Sequence, residues 1–514
     1  MAELPLIPVP RRTEVRGGRM RLSGPGQVHR RVDPSLPPEG YLLDIRDDGV
    51  EIRGGGEAGV FYGVQTLLQL LPPWATARAQ CSLEDALAAT GPVALPTLRI
   101  EDEPAHPWRG FMLDVARHFQ PASFLLRIVD QLAAHKLNVL HLHLTDDQGW
   151  RIPIPGYPRL TEAGAWRSES PVGFDHEGDD LERDGTPHGG AYTRQELEHL
   201  VAYAAERHVR VVPEVDFPGH ATAAIAAYPQ FGNGPAPEVR TRWGISTTIL
   251  NLEDETLAFV DAVLTEVMDI FPGAWVHGGG DEAPKREWRA SASVQRKKAE
   301  LGLPDEEALQ GWFTARVEAT VRSRGRRLVA WDEVVAGGAP LDTLVMAWRS
   351  TAHGVAAVRA GYDVVMTPSE TVYLDHRQSL DPGEPITFPD SPVTLEQVHA
   401  FEPVPAELRG FSWLRSWSWL RSRRGRVVGA QANLWTEYVP TAAHAEYMTF
   451  PRLCAFAEAV WRQPAPRRGG HDYAGFLLRL ERHVERLRAA GIRFRPLDDV
   501  LGRTDRTGEL ELVP

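Results

Sequence analysis

From Trp108 onward, short apolar runs alternate with longer amphipathic stretches, and no other property of the chain restricts its fold so strongly. Eight runs can be counted: Gly110 to Val115, Val139 to Leu144, Val209 to Val215, Ala274 to Gly279, Arg327 to Ala330, Thr343 to Ala347, Asp363 to Met366 and Val427 to Ala432. Short, continuously apolar runs suit strands buried on both faces. The stretches between them, such as Phe124 to His135, Thr193 to Ala205 and Leu257 to Ile270, place apolar residues at helical spacing, and Thr193-Arg194-Gln195-Glu196 has the form of a capping box. Eight successive βα units predict an α/β fold, a parallel sheet closed into a (β/α)₈ TIM barrel.

A small α+β unit precedes the barrel. Tyr41 to Ile45 and Val50 to Ile52 flank Asp47-Asp48-Gly49, a hairpin signal, and Val60, Phe61, Val64, Leu67, Leu68 and Leu71 then recur at helical spacing until Pro72-Pro73. After the barrel, Tyr473, Phe476, Leu477, Leu480, Val484 and Leu487 mark one more helix before Gly491. The expected organisation is an N-terminal α+β domain over 1–103, a barrel over 104–465 and a helical extension packed on it over 466–514. A chain of 514 residues has room for this.

Composition excludes several classes. With 43% hydrophobic and 24% charged residues the chain is globular, and a formal charge of −13 argues against a phosphate-backbone partner. No apolar stretch reaches membrane-spanning length, and Met1 to Arg12 lacks the apolar segment of a secretory leader, so the expected location is cytoplasmic, away from membranes. Cys81 and Cys454 are too few and too far apart for a disulfide framework or a zinc motif.

Barrels of this kind carry their chemistry at the C-terminal ends of the strands. Those ends lead here to Asp114 and Arg117, Thr145-Asp146-Asp147, Glu214, Asp216 and His220, Asp281-Glu282, Trp331-Asp332-Glu333, Trp348-Arg349, Tyr373 and Asp375, and Trp435 and Glu437. Carboxylates interleaved with aromatic rings and arginine suit a sugar, whose C–H faces stack on rings while its hydroxyls pair with charged groups. The fourth end is distinctive: Gly278, Gly279 and Gly280 deliver two adjacent acids, and glycines leave space for a ligand beside the backbone.

With these motifs in order, residues 98–461 resemble family 20 glycoside hydrolases, the β-N-acetylhexosaminidases. The resemblance rests on Trp108 to Phe119, His141 to Trp150, Pro213 to His220, Gly279 to Glu282, Trp331-Asp332-Glu333, Tyr373-Leu374-Asp375 and Asn433 to Glu437, with residues 50–71 similar to the family's small N-terminal domain. It implies an exo-acting, retaining enzyme in which the substrate's own 2-acetamido oxygen attacks the anomeric carbon. On that analogy Glu282 is the acid and then the base, kept protonated by an ionised Asp281. Asp281 holds the acetamido N–H and Tyr373 aims the acetamide oxygen, while His220 bridges Asp146 to Glu282. Arg109, Asp375 and Glu437 bind sugar hydroxyls, and Trp331, Trp348 and Trp435 wall the pocket. The expected partner is an oligosaccharide or glycoconjugate ending in a β-linked N-acetylhexosamine. No cofactor or metal is expected, and nothing fixes the oligomeric state.

Three positions depart from the family pattern. Gly278 replaces a larger aliphatic residue, which is expected to loosen the fourth strand. The segment Asp375 to Phe401 lacks the tryptophan that some relatives place near the leaving group, with Phe388 the nearest aromatic, and Ser412 to Ser416 is repeated as Ser418 to Ser422 with no assignable role. Two other functions stay open: a metal-dependent hydrolase using His141-Leu142-His143, whose period-two spacing puts both rings on one strand face, and an inactive sugar-binding protein on the same fold.

Overall fold

The computed structural model describes residues 4–76, 82–175, 182–388, 391–409, 425–464 and 471–501. The repeat within 412–422 lies outside them.

Every apolar run forms a strand, and the eight close into a parallel barrel. The strands are Trp108–Asp114, Val139–His143, Arg210–Glu214, Trp275–His277, Arg327–Trp331, Leu344–Ala347, Val364–Met366 and Val427–Leu434. Residues facing the ring of helices, among them Phe111, Leu140, Val276 and Leu328, join the main core, whereas Val139, Val212, Val329, Trp331 and Met346 fill a separate core inside the barrel. Register matters most at the upper rim of this inner core. Asp114 pairs with His143, His143 with Glu214 and Glu214 with His277, so four ionisable residues stand side by side on adjacent strands.

Helices fill the connections where the periodicity placed them. Ala122–Ala134, Arg194–Ala205 and Asp254–Ile270 follow the first three long strands and the loops after them. Thr193 caps the second, accepting from the Glu196 N–H at 3.1 Å while Glu196 Oε2 accepts from the Thr193 N–H at 2.8 Å, a reciprocal box. The fourth strand is not loosened at Gly278: its N–H donates to Val329 O at 2.9 Å and its carbonyl accepts from Phe217 N–H at 3.3 Å, so pairing continues on both sides.

The N-terminal layer is a five-stranded sheet backed by the helix Glu57–Leu70. The hairpin Tyr41–Arg46 with Gly49–Gly54 lies inside it, flanked by Val93–Asp102 on one side and Val28–Val32 on the other. Arg12–Leu22 forms the far edge, antiparallel to Val93–Asp102 and mostly exposed. The helix Tyr473–Ala489 buries Phe476, Leu480, Val484 and Leu487 against the barrel core. Among the described residues no helix is long and apolar enough to cross a membrane.

Candidate active site

A cavity of about 950 Å³ opens at the C-terminal ends of the strands. Its lining brings together Arg117, His220, Asp281, Glu282, Trp331, Trp348, Tyr373, Asp375, Trp435 and Glu437. Asp146 lies just behind, reached through His220.

The two acids follow the fourth strand on a tightly wound turn. Gly279, Gly280 and Glu282 have φ of 63°, 98° and 41°, a left-handed path that glycine adopts freely and glutamate adopts under strain. The glycines do not make room for a ligand as the sequence suggested. A Cβ on Gly279 would stand 1.7 Å from Asp216 Oδ1, and one on Gly280 would stand 2.7 Å from a Val334 methyl, so protein packs onto both. Asp216 Oδ1 accepts from the Gly280 N–H at 3.0 Å, which pins the turn and brings a third carboxyl up to Asp281.

That third carboxyl alters the electrostatics. Burial, followed by the charge of Asp216, pushes the Asp281 carboxyl well above the usual carboxylate range, and burial pushes Asp216 up likewise. Two buried acids in contact cannot both ionise, so they share a proton. Asp216, which the sequence placed at a strand end without a role, thus shares the charge that the sequence reading put on Asp281 alone.

His220, itself at φ 47°, stands between Asp146 and the acids. Its Nδ1 is 3.1 Å from Asp146 Oδ1, and its Nε2 is 3.6 Å from Glu282 Oε2 and 3.9 Å from Asp281 Oδ2. Burial disfavours the charged ring, yet Asp146, Asp147 and Glu282 together hold its pKa well above the ordinary histidine value. Asp146 is tied in turn to Arg117 Nη2 at 2.8 Å and His143 Nε2 at 2.9 Å, and these cations keep it ionised against the cost of burial. Below it, His143 Nδ1 is 2.7 Å from Glu214 Oε2, with His277 Nδ1 and Trp331 Nε1 on the other Glu214 oxygen at 3.0 and 2.7 Å. Glu214, then Asp146, raises His143 to about 10 in spite of burial, making it a cation at neutral pH. A continuous charged chain thus runs from the barrel core to Glu282.

This pairing bears on metal binding by His141 and His143. Both rings do point into the barrel, but carboxylates engage both nitrogens of His143, and no lone pair is left for an ion. His141, Glu214 and His277 have ligand atoms within 4.8 Å of one another, as do Asp146, Asp147 and His220. In each group the carboxylates are already engaged by other donors, Glu214 by His143 and Trp331, Asp146 by Arg117 and His143, and Asp147 by the Thr222 hydroxyl.

An aromatic box closes the other side. Tyr373 stacks near-parallel on Trp348 with centroids 6.3 Å apart and meets Trp435 at 6.3 Å, and Trp435 meets Trp331 at 6.0 Å. Trp331 is completely buried and forms the floor. Trp348 Nε1 donates to both Glu333 oxygens at 3.1 Å. Burial and the nearby Asp281 raise Glu333 to about 8. Burial, followed by the charge of Glu437, pushes Asp375 up, and Glu437 is itself raised by burial, with Arg117 Nη1 3.6 Å away opposing.

Arg109 is not in the cavity, which corrects the sequence reading. It is the second residue of its strand and lies fully buried at the opposite end of the barrel. There its guanidinium pairs with Glu39 at 2.8 Å, donates to the Tyr62 hydroxyl at 3.0 Å and lies over the Trp461 ring at 5.1 Å. Arg117 lines the cavity instead, packed over Trp435 at 5.0 Å. The outer wall was also missed. Phe174 stacks on Tyr438 at 5.8 Å and meets Phe388 at 5.8 Å, and Asp175 fastens that loop to the Trp243 N–H at 2.8 Å. Long loops carry these residues, and no periodicity marks them.

Residues 106–464 match the family description "Glycosyl hydrolase family 20, catalytic domain", and residues 8–103 match "Glycosyl hydrolase family 20, domain 2". A β-hexosaminidase of Porphyromonas gingivalis is 40% identical over 90% of this chain, which spans 56% of that protein's length. One of Akkermansia muciniphila is 36% identical over 90% of this chain and 86% of its own. Among solved structures, a β-N-acetylhexosaminidase superposes with a TM-score of 0.78 at 32% identity, covering 99% of both chains. The Streptomyces plicatus N-acetyl-β-hexosaminidase in complex with Thio-NAglucal does so at 0.76 and 30%, covering 96% of both.

Proposed function

The chain belongs to glycosyl hydrolase family 20, and from that premise we propose that it is an exo-acting, retaining β-N-acetylhexosaminidase releasing terminal β-linked GlcNAc or GalNAc by substrate-assisted catalysis. The observation that carries this reading is the placement of Asp281, beside Asp216, facing the Trp331, Trp348, Tyr373 and Trp435 box. The box is a compact, largely apolar recess of the kind that receives an acetamido group, and Asp281 and Tyr373 are its polar elements.

In the proposed first step the acetamido oxygen, aimed by the Tyr373 hydroxyl, attacks the anomeric carbon. The bond from that carbon to the leaving oxygen breaks, and Glu282 gives that oxygen its proton. A carboxyl oxygen of Asp281 accepts from the acetamido N–H. As positive charge grows on the oxazolinium ring it draws the shared proton onto Asp216 and leaves the negative charge on Asp281, so stabilisation is realised mainly in the transition state. Water then attacks the anomeric carbon, gives its proton to Glu282 and restores the acetamide. Asp146 and His220 orient Glu282, and Arg117, Asp375 and Glu437 take the sugar hydroxyls, with Arg117 in the role expected of Arg109.

The test is hydrolysis of a chromogenic N-acetyl-β-glucosaminide beside the plain β-glucoside, each with and without chelator. Release from the acetamido substrate alone, indifferent to chelator, is expected. Equal release from the plain glucoside would overturn the substrate-assisted step.

A further inference from the structure

A second group of reactive side chains lies away from the cavity just described, and none of its members lines it. His135 caps the helix Ala122–Ala134, Cys454 sits in the helix Arg452–Trp461, and His483 sits in the helix Tyr473–Ala489. All three are buried, and their ligand atoms lie within 4.8 Å of one another. His135 Nε2 is 2.9 Å from His483 Nε2 and 3.4 Å from Cys454 Sγ.

The hydrogen bonding gives this group a direction. His135 Nδ1 is 2.7 Å from the Gln131 carbonyl, which can only accept, so the ring's N–H is there. Its Nε2 therefore carries the bare lone pair. That lone pair faces both a second imidazole and a thiol, while His483 Nδ1 is buried with no hydrogen-bond partner. A histidine oriented by a carbonyl on one nitrogen and presenting the other to a thiol and a second histidine has the arrangement of a metal ligand with its supporting bond.

We propose that His135, Cys454 and His483 bind one zinc-like divalent ion. A tetrahedral ion with ordinary Zn–N and Zn–S lengths needs edges of about 3.3 Å between nitrogens and about 3.5 Å from nitrogen to sulfur. The His135–Cys454 spacing already matches, the two rings part by a few tenths of an ångström, and the remaining His483–Cys454 edge, within 4.8 Å, closes to the same length. Binding expels the Cys454 thiol proton, and the soft thiolate with two imidazoles selects zinc or cobalt over calcium or magnesium. A neighbouring cavity of about 330 Å³, lined by both histidines, admits a water as fourth ligand. The site lies at the N-terminal end of the barrel, where the ion ties the barrel to the C-terminal helix.

The experiment is cobalt binding to the chelator-treated full-length protein, followed by absorption, with Cys454→Ser and His483→Gln in parallel. One cobalt per chain is expected, with a near-ultraviolet thiolate-to-cobalt band and visible tetrahedral absorption. Cys454→Ser removes the band, and His483→Gln weakens binding at least roughly tenfold. Zinc raises the Tm of the wild type but not of His483→Gln, and both variants keep glycosidase activity, which shows them folded. A missing band, both on addition of cobalt and after expression in cobalt-supplemented medium, overturns the proposal. A band that survives Cys454→Ser would belong to Cys81 and overturns it equally. Should Cys454→Ser not fold, X-ray absorption of the cobalt wild type decides, since a first shell without one sulfur rules the site out.

Discussion

Arg109 and Arg117 bracket the same strand, and choosing between them required only the strand's direction. Chemistry gathers at C-terminal ends, so an arginine that precedes Phe111 to Asp114 must face the opposite end, where Glu39 and Trp461 receive it. The family motif around Trp108 drew attention to the wrong member of the pair. Replacing Arg109 with Ala leaves Glu39 half-buried without its partner and should cost about 3 kcal/mol of stability, the low end for breaking a buried pair, with KM unchanged. Arg117→Lys keeps the charge but loses the fork that spans Asp114, Asp146 and Glu437, and should lower kcat/KM by roughly 10²-fold through misplaced groups. Equal effects of the two on KM would contradict this division. Glu333 makes a different residue-level prediction. Its pKa rises from 4.5 to about 8 on folding, so between those values the folded state holds a proton that the unfolded chain has released, and stability falls as pH rises through that window. Glu333→Gln should remove that part of the decline, visible as a flatter Tm against pH; an unchanged profile would mean that Glu333 ionises normally.

At the scale of elements, the barrel strands were legible because a parallel strand covered on both faces has to be apolar throughout, and each of the eight runs agrees with its strand to within about two residues. Arg12–Leu22 gave no comparable signal, since eight of its first nine residues are exposed and a bulge between Val15 and Arg19 interrupts any alternation. The glycine turn was legible as a special backbone but not for its cause. Gly279 accommodates Asp216 and Gly280 a Val334 methyl, contacts from other elements that no local pattern reveals. Gly279→Ala forces a Cβ against Asp216 at φ 63° and should abolish most activity, by at least about 10²-fold, with a clear fall in Tm. Gly278→Ala meets only a Leu328 methyl at 3.1 Å and a Val317 methyl at 3.4 Å, outside the left-handed region, and should be tolerated. Assays of both variants at a temperature where circular dichroism shows each folded would separate them, and equal losses would mean that the turn depends on something other than Asp216.

Across the whole molecule, the sequence divided the chain into an N-terminal layer for packing and a barrel for chemistry, and it gave no hint of how firmly one grips the other. The structure answers with a buried polar joint. Lys136, at the entrance to the second barrel strand, donates to the Tyr41 hydroxyl at 2.8 Å and to Asp102 Oδ2 at 3.2 Å, and Trp461 Nε1 reaches Asp102 Oδ1 at 3.0 Å. Trp461 belongs to the core of the N-terminal layer although its helix packs on the barrel, so the two cores interlock at this ring. Lysine and aspartate so far apart in sequence carry no pattern that pairs them, which is why the joint was illegible. Burial works to lower the Lys136 pKa, and Asp102 opposes it, so the pair persists only while each partner compensates the other's desolvation. Lys136→Met should therefore strand Asp102 and cost about 3–5 kcal/mol. Because the lost contact lies between layers, calorimetry should also resolve the single unfolding transition expected of the wild type into two, with the N-terminal layer melting first. Adding Asp102→Asn should recover part of the loss, since the uncompensated charge goes with it. A Lys136→Met protein that melts in one transition at the wild-type temperature would show that apolar interlocking at Trp461 alone holds the layers together.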